Sequence, residues 1–268
     1  MILNGPMGSQ LHARGVATPP PGWSAYALVT APQVVSAIHQ DYARAGAEVH
    51  TANTFRTKSR TFPQDWEAMA RAAVRLARAA AGPGQHVAAS IAPLEDCYSP
   101  HLSPPDPGPE HRLLAEVLAH AGVDLLLCET FPHVGEGLAA VAAAVATGVE
   151  TWASFTAGPE ADLLTPDEVG GAAAAAVRLG AAAVLVNCVP ATRTLDYVRR
   201  LGGLGVPFGA YANAGAASEG LGWDRPDRAA ERYADLAATW VDAGATLVGA
   251  CCGTGPEHIA ALVTRFTR

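Results

Sequence analysis

The sequence is poor in basic residues and has no long apolar segment. Its 268 residues include 18 Lys and Arg against 25 Asp and Glu, a formal net charge of -7. Because nucleic acids are bound chiefly by neutralising their phosphates, this balance argues against a nucleic-acid partner. No apolar run reaches the roughly 18–20 residues of a membrane-spanning helix, and residues 1–6 lack the pattern of a secretory signal. We therefore expect no membrane partner and a cytoplasmic location.

Cysteines are few, and their number is odd. The five are Cys97, Cys128, Cys188, Cys251 and Cys252. In a chain without an export signal, an odd number does not indicate a disulfide framework. A disulfide between the adjacent residues Cys251 and Cys252 would be strained and rare. A metal site or a nucleophile is the better interpretation, and composition alone does not choose between them.

Apolar residues are abundant, at 50% of the chain, and they occur in a repeated pattern. Eight short apolar runs alternate with longer amphipathic stretches, as in βα units. The runs are residues 2–4, 48–52, 86–91, 124–128, 151–155, 183–187, 208–211 and 246–250. No G-x-G-x-x-G follows the first run, which argues against a dinucleotide-binding open sheet. We predict an α/β fold, a single-domain (β/α)8 TIM barrel over residues 1–268.

Several helices have clear sequence boundaries. Pro32 is typical of a first helical turn, and Thr165-Pro166-Asp167-Glu168 is typical of a capped start, with Gly180 at the end. A helix is predicted over residues 225–244, and the last one begins near Gly255. The Pro-rich residues 94–109 fall between a strand and a helix, so they are predicted to form a loop over the barrel mouth.

Cysteines follow two of the predicted strands. Cys188 closes the sixth run, and Cys251 and Cys252 close the eighth. Side chains at strand ends meet at one end of a barrel, and three thiolates with an open fourth position are typical of catalytic Zn²⁺. Buried core thiols are the alternative, and we prefer it only for Cys97 and Cys128. A cysteine nucleophile lacks an obvious histidine partner, because His258 is predicted to lie at a helix cap or on the surface.

An ordered set of motifs resembles the homocysteine S-methyltransferase family along nearly the whole chain. Residues 3–9 are similar to L-D-G-x-M-G-T, residues 23–25 to W-S-A, and residues 52–55 to T-N-T-F. Residues 90–93 are similar to G-S-I-G-P, and residues 129–132 to E-T-x-P. Residues 154–156, 187–188 and 211–215 follow in the family order. Residues 249–259 resemble G-G-C-C-G-T-x-P-x-H-I.

The resemblance implies a zinc enzyme that methylates the thiol of L-homocysteine to give methionine. Its implied zinc ligands are Cys188, Cys251 and Cys252, and Glu129 would hold the substrate amine. The remaining motif residues expected to bind substrate are Asn4, Asn53, Thr54 and Trp23. Asn4 departs from the family, which has Asp there, so ammonium binding is expected to be weaker or another thiol to be used.

The methyl donor is expected to be a sulfonium compound, S-methylmethionine or S-adenosylmethionine. Aromatic side chains that could face such a cation are Trp23, Tyr26, Tyr98 and Trp223. In the loop of residues 94–109, Asp96, Cys97, Tyr98 and His101 could contact the donor or form a lid only. Two alternatives stay open: the same chemistry on a different small thiol, and a zinc-binding barrel without turnover.

Overall fold

Seven parallel strands form one sheet in chain order in the computed structural model, which describes residues 1–222 and 227–267. The strands are β1 (Val49–Ala52), β2 (His86–Ile91), β3 (Leu125–Phe131), β4 (Glu150–Phe155), β5 (Ala183–Pro190), β6 (Phe208–Asn213) and β7 (Leu247–Ala250). Each strand corresponds to a predicted apolar run. The architecture is an α/β fold, consistent with a TIM-barrel-like fold.

Helices connect the strands. They are α1 (Met7–Ala13), α2 (Ala27–Thr30), α3 (Pro32–Ala45), α4 (Trp66–Ala80), α5 (Gly108–His120), α6 (Val134–Val145), α7 (Pro166–Leu179), α8 (Thr194–Leu201), α9 (Ala229–Asp242) and α10 (Pro256–Phe266). None of these described helices is both long and apolar enough to cross a bilayer.

The predicted helix boundaries agree well with the structure where the chain is described. Thr165 and Glu168 form the reciprocal capping box of α7, and Gly180 ends that helix with a φ of 107°. That left-handed conformation favours glycine, which explains the stop. The helix predicted over residues 225–244 begins only at Ala229, and residues 225–226 lie outside the described part of the chain.

The first predicted strand, residues 2–4, is present only as two isolated bridges. Ile2 pairs with Val248 of β7, and Leu3 pairs with Val49 of β1. The Leu3 amide donates to the Val248 carbonyl at 2.8 Å, and the Asn4 amide donates to the Val49 carbonyl at 2.9 Å. The segment thus contacts both edge strands, but one bridge on each side is too short to count as a regular strand.

Apolar side chains pack on both faces of the sheet. Successive residues of a strand point to opposite faces, so Leu126 packs in the large cluster that includes helical residues, whereas Leu125 and Leu127 belong to a second cluster. The second cluster is made almost entirely of strand residues, and Tyr211 and Cys251 also contact it. This inner cluster therefore reaches the carboxyl ends of the strands, where the predicted site residues lie.

Candidate active site

Two strands have irregular pairing close to their carboxyl ends. The register shifts between Cys128 and Phe131 in β3, and between Asn187 and Pro190 in β5. Thr130 and Cys188, inside these shifts, have positive φ values of 63° and 53°. For residues other than glycine this conformation costs about 1–3 kcal/mol and is often found at functional sites. Bulges of this kind redirect side chains, and here both Glu129 and Cys188 line one cavity.

Asn187 connects the two irregular segments. Its Oδ1 accepts hydrogen bonds from the Thr130 amide at 3.0 Å and from Ser154 Oγ at 2.8 Å. Its Nδ2 donates to Thr130 Oγ1 at 2.7 Å, and all of these groups are buried. Sequence reasoning did not assign Asn187 a role, although its position directly before Cys188 was a usable signal. This side chain fixes the backbone that carries Glu129 and Cys188.

Cys251 and Cys252 lie in a turn rather than in a strand. β7 ends at Ala250, and Gly253 has a φ of 84°. Neighbouring side chains on a regular strand would point to opposite faces, so the turn is what lets both thiols face one point. The Cys251 amide donates to the Ala212 carbonyl at 2.8 Å, which ties the turn to β6.

His258 supports the same region from the first turn of α10. Its Nδ1 accepts a hydrogen bond from the Gly255 amide at 3.1 Å, and its Nε2 lies 2.7 Å from the Leu221 carbonyl. The cap position was predicted correctly, but the side chain is buried and not on the surface.

The structure brings the three predicted metal ligands together. The Sγ atoms of Cys188, Cys251 and Cys252 all lie within 4.8 Å of one another. Cys188 and Cys251 are joined as a disulfide, and Cys252 is a free thiol. The odd cysteine count did not suggest this pairing, which arises because sulfur atoms that converge on one point are also within bonding reach. These residues could hold a metal ion only in the reduced form, in which three thiolates would suit Zn²⁺ and leave a fourth position open.

Glu129 faces the same cavity, which has a volume of about 240 Å³. Tyr211 donates its hydroxyl to Glu129 Oε2 at 2.8 Å. Burial raises the pKa of Glu129, and the hydroxyls of Ser90 and Tyr211 partly oppose this. Among the described residues that line the cavity, Glu129 is the only Asp or Glu. It is therefore the natural partner for a cationic group of a ligand.

Asn4 is a further polar residue of the lining that is available to a ligand. Its Oδ1 accepts a hydrogen bond from the Thr51 amide at 3.2 Å, so its amide nitrogen points elsewhere and has no hydrogen-bond partner in the described chain. A donor from Asn4 thus remains free for a bound molecule.

The remaining predicted substrate contacts divide into lining and supporting residues. Trp23 and Asn53 line the cavity. Asn53 exchanges two hydrogen bonds with Ser24, at 2.7 and 2.8 Å, and so holds the loop that carries Trp23. Thr54 is not part of the described lining; it is buried and donates to the Ser90 carbonyl at 2.9 Å. Thr54 therefore supports the site from behind.

The loop of residues 94–109 contributes two side chains to the cavity. Cys97 and Tyr98 line it, whereas Asp96 and His101 are exposed. Cys97 is buried, as expected for a core thiol, but it also faces the cavity. Cys128 is buried in the large apolar cluster and is absent from the described lining.

Comparisons with known proteins agree with this arrangement. The family model for homocysteine S-methyltransferase matches residues 1–266. The homocysteine S-methyltransferase of Escherichia coli K12 is 30% identical, over 99% of this chain and 94% of the relative. The S-methylmethionine–homocysteine S-methyltransferase of Mus musculus is 30% identical, over 90% of this chain and 71% of its own.

Solved structures agree as well. The metallated form of the homocysteine methyltransferase MmuM from Escherichia coli superposes with a TM-score of 0.83 at 27% identity, over 99% of this chain and 96% of the other. A family model that matches almost the entire chain, together with relatives similar over most of its length, is decisive. This chain belongs to the homocysteine S-methyltransferase family and is an enzyme of the methyltransferase class.

Proposed function

We propose that this enzyme transfers a methyl group from a sulfonium donor to the thiol of L-homocysteine, giving methionine. The observation that carries the proposal is the convergence of Cys188, Cys251 and Cys252 on the cavity that Glu129 also lines. A cluster of soft ligands beside a single carboxylate suits a substrate that has both a thiol and an amine. The donor that fits best is S-methylmethionine or S-adenosylmethionine.

The three reduced cysteines would hold Zn²⁺. Bound there, the ion would supply the Lewis acidity that keeps a substrate thiol deprotonated near neutral pH. The described residues that line the cavity include no Lys or Arg that could take over this task.

Glu129 would bind the ammonium group of homocysteine through the oxygen that Tyr211 leaves free. Because Tyr211 donates to Oε2, its hydroxyl fixes the orientation of the carboxylate. Asn187 holds the backbone on both sides of this arrangement, as described above. The substrate sulfur is thereby directed to the cysteine cluster while its amine stays on Glu129.

The methyl transfer balances without any further reactant. The thiolate sulfur attacks the methyl carbon from the side opposite the leaving sulfur, and a new carbon–sulfur bond forms. The old carbon–sulfur bond breaks, and its electron pair stays on the donor sulfur, which becomes a neutral thioether. Alignment of the two sulfur atoms with the methyl carbon is the part of catalysis that the protein must supply.

A different small thiol is the second candidate acceptor, and Asn4 is the observation that favours it. Its oxygen is used by the Thr51 amide, so the group left for a ligand is a hydrogen-bond donor and carries no charge. Such a group does not attract an ammonium ion. The third alternative, a zinc-binding barrel without turnover, is set aside because the chain belongs to an enzyme family.

Residues 2–4 would serve as the eighth strand position of a closed barrel. Their bridges to both β1 and β7, and the place of Leu3 in the inner cluster, support this view. If these residues close the sheet into a barrel, Asn4 lies at the carboxyl end of that strand position, where barrel enzymes have their catalytic residues.

The test is a turnover assay on the reduced protein supplied with zinc. L-Homocysteine and one other small thiol are each offered with S-methylmethionine and with S-adenosylmethionine, and the methylated product is measured. Methionine formation that requires homocysteine, with either donor, supports the proposal; the dependence on homocysteine matters because S-methylmethionine itself becomes methionine once it has lost a methyl group. Turnover only with the other thiol identifies the second candidate, and no turnover with any pair contradicts both.

A further inference from the structure

The aromatic side chains near the cavity are not equally available to a cationic donor. Of the four that the sequence suggested, Trp223 lies outside the described residues. Tyr26 packs edge-on against Phe62, with ring centroids 5.2 Å apart, and is not part of the described lining. Trp23 and Tyr98 both line the cavity. Phe55 and Tyr211 line it as well, but the Arg56 guanidinium carbon lies 5.4 Å from the Phe55 ring centroid, and the Tyr211 hydroxyl donates to Glu129. The choice of an onium-binding surface therefore lies between Trp23 and Tyr98.

The Trp23 ring already carries a cation of the protein itself. The guanidinium carbon of Arg56 lies 4.5 Å from the centroid of that ring. Arg56 is only 7% exposed, and it has no ion-pair partner among the described residues. It donates to the Glu95 carbonyl at 2.9 Å, which holds it in place. A second cation at Trp23 would meet a buried like charge, and repulsion of that kind is weakly screened inside a protein.

Tyr98, unlike Trp23, has no cation of the described chain stacked on its ring. Its hydroxyl has no hydrogen-bond partner in the described chain. Tyr98 lines the same cavity as Cys251, Cys252 and Glu129, and Glu129 is the one Asp or Glu among the described lining residues. An uncovered aromatic ring in a cavity that also holds a carboxyl group is a suitable surface for an onium group.

The backbone around Tyr98 is anchored, so the side chain has a fixed place. Its amide donates to Asp96 Oδ1 at 2.7 Å. Just before it, Lys58 donates to the Pro93 carbonyl, and the Leu94 amide donates to Glu136 Oε1 at 2.7 Å. A residue held in this way can orient a small ligand against the cysteine cluster.

We propose that Tyr98 is the residue that binds the onium group of the methyl donor, and that Arg56 excludes this group from Trp23. The inference rests on the proposed function and adds the location of the donor. It assigns donor specificity to the loop of residues 94–109. The methyl carbon of a donor bound at Tyr98 would lie next to the cysteine cluster, as transfer requires.

The test uses tetramethylammonium as a cation that lacks the carboxylate and amine of a natural donor. Its inhibition constant against S-methylmethionine is measured for the zinc-loaded wild type and for the variants Y98F, Y98L, Y98M and W23L. Cation–π contacts are lost in Y98L and Y98M, so the inhibition constant and the donor KM should both rise by about five- to thirty-fold. Y98F keeps the ring and should remain within about two-fold. W23L should leave the inhibition constant of tetramethylammonium within about two-fold, and the homocysteine KM should stay unchanged in the three Tyr98 variants.

A double variant makes the test sharper. Removal of Arg56 uncovers the Trp23 ring, so R56Q/Y98L should bind tetramethylammonium more tightly than Y98L alone. Circular dichroism melts check that every variant is folded, and Y98M replaces Y98L if the latter is not. Equal inhibition constants for wild type, Y98L and Y98M, or a larger loss in W23L, would overturn the inference while wild-type turnover still supported the proposed function. Absence of methyl transfer in the wild type would contradict the proposed function, and calorimetric binding of tetramethylammonium to the zinc-loaded wild type, Y98L and W23L would then show separately whether Tyr98 binds a cation.

Discussion

The two sides of the cavity are built differently. The thiol side, made of Glu129, Cys188, Cys251 and Cys252, lies on strand ends and on the turn after β7. Its backbone is held by hydrogen bonds that join the ends of different strands. The proposed donor side, made of Trp23, Cys97 and Tyr98, lies on loops, and Arg56 stacks on Trp23 and donates to the Glu95 carbonyl. The contrast suggests that the proposed acceptor chemistry is part of the fold itself, whereas the proposed donor contacts lie on loops that can vary independently.

The largest expected effect comes from removing a thiol-side ligand. C252A should abolish methyl transfer, because two cysteines cannot complete a three-ligand site. The fold should survive, since Cys252 is partly exposed and the apolar core is large. Turnover, zinc content and the melting temperature are measured together.

C128A is the matched control for that experiment. Cys128 directly precedes Glu129 but is buried in the apolar cluster and is not part of the described cavity lining, so its loss should lower stability and leave zinc binding intact. Unfolding of C252A in the presence of zinc would instead make the metal a structural one.

The next largest effect is expected at Glu129. E129Q removes the charge that holds the substrate amine, and hydrogen bonds to charged groups contribute about 1.5–3 kcal/mol. The KM of homocysteine should therefore rise by about 10- to 150-fold. A thiol without an amine is the comparison substrate, and its KM should hardly change. Equal losses for both thiols would argue against an amine contact.

We also expect Glu129 to make the KM of homocysteine depend on pH. Burial raises the pKa of Glu129 above its usual 4.5, so protonation and loss of the ammonium contact begin at a less acidic pH. As the pH falls through that raised pKa, the KM of homocysteine should rise in wild type and stay flatter in E129Q. Parallel profiles for the two proteins would show that another group is responsible.

A smaller effect is expected from Asn187, which connects the bulges of β3 and β5. N187A leaves the Thr130 amide and the Ser154 hydroxyl without an acceptor, at a cost of about 1–3 kcal/mol in the free energy of unfolding. Zinc affinity should fall by about 10- to 100-fold, as for other groups that orient metal ligands. S154A removes only one of these bonds and should have a clearly weaker effect on the free energy of unfolding and on the zinc affinity. Unchanged zinc affinity in N187A would mean that Cys188 is fixed by other contacts.

These residues also show how much of the fold and of the candidate site could be predicted from the sequence alone. The strands with strong apolar runs were predicted within a few residues, because burial on both faces gives a clear signal. The cysteine cluster and Glu129 were found through ordered motifs. The bulges at Thr130 and Cys188 were not predicted, since they depend on pairing between segments that are distant in the sequence. The stacking of Arg56 on Trp23 and the supporting role of Thr54 were missed for the same reason.

The smallest effect is expected at Asn4. N4D keeps the bond from the Thr51 amide and adds a charge near the substrate amine, so the KM of homocysteine should fall by about two- to five-fold. N4A is the control for the loss of the side chain. If N4D weakens homocysteine binding, the native acceptor is better sought among thiols that accept a hydrogen bond from the Asn4 amide.

The most direct test of the central claim is the zinc content of the wild-type protein, kept reduced so that the Cys188–Cys251 disulfide is open, and loaded with Zn²⁺. Metal is measured after removal of the unbound ion. We predict about one zinc ion per chain. A reduced, folded protein that retains no zinc would contradict the account, because nothing else in the described cavity could activate the substrate thiol.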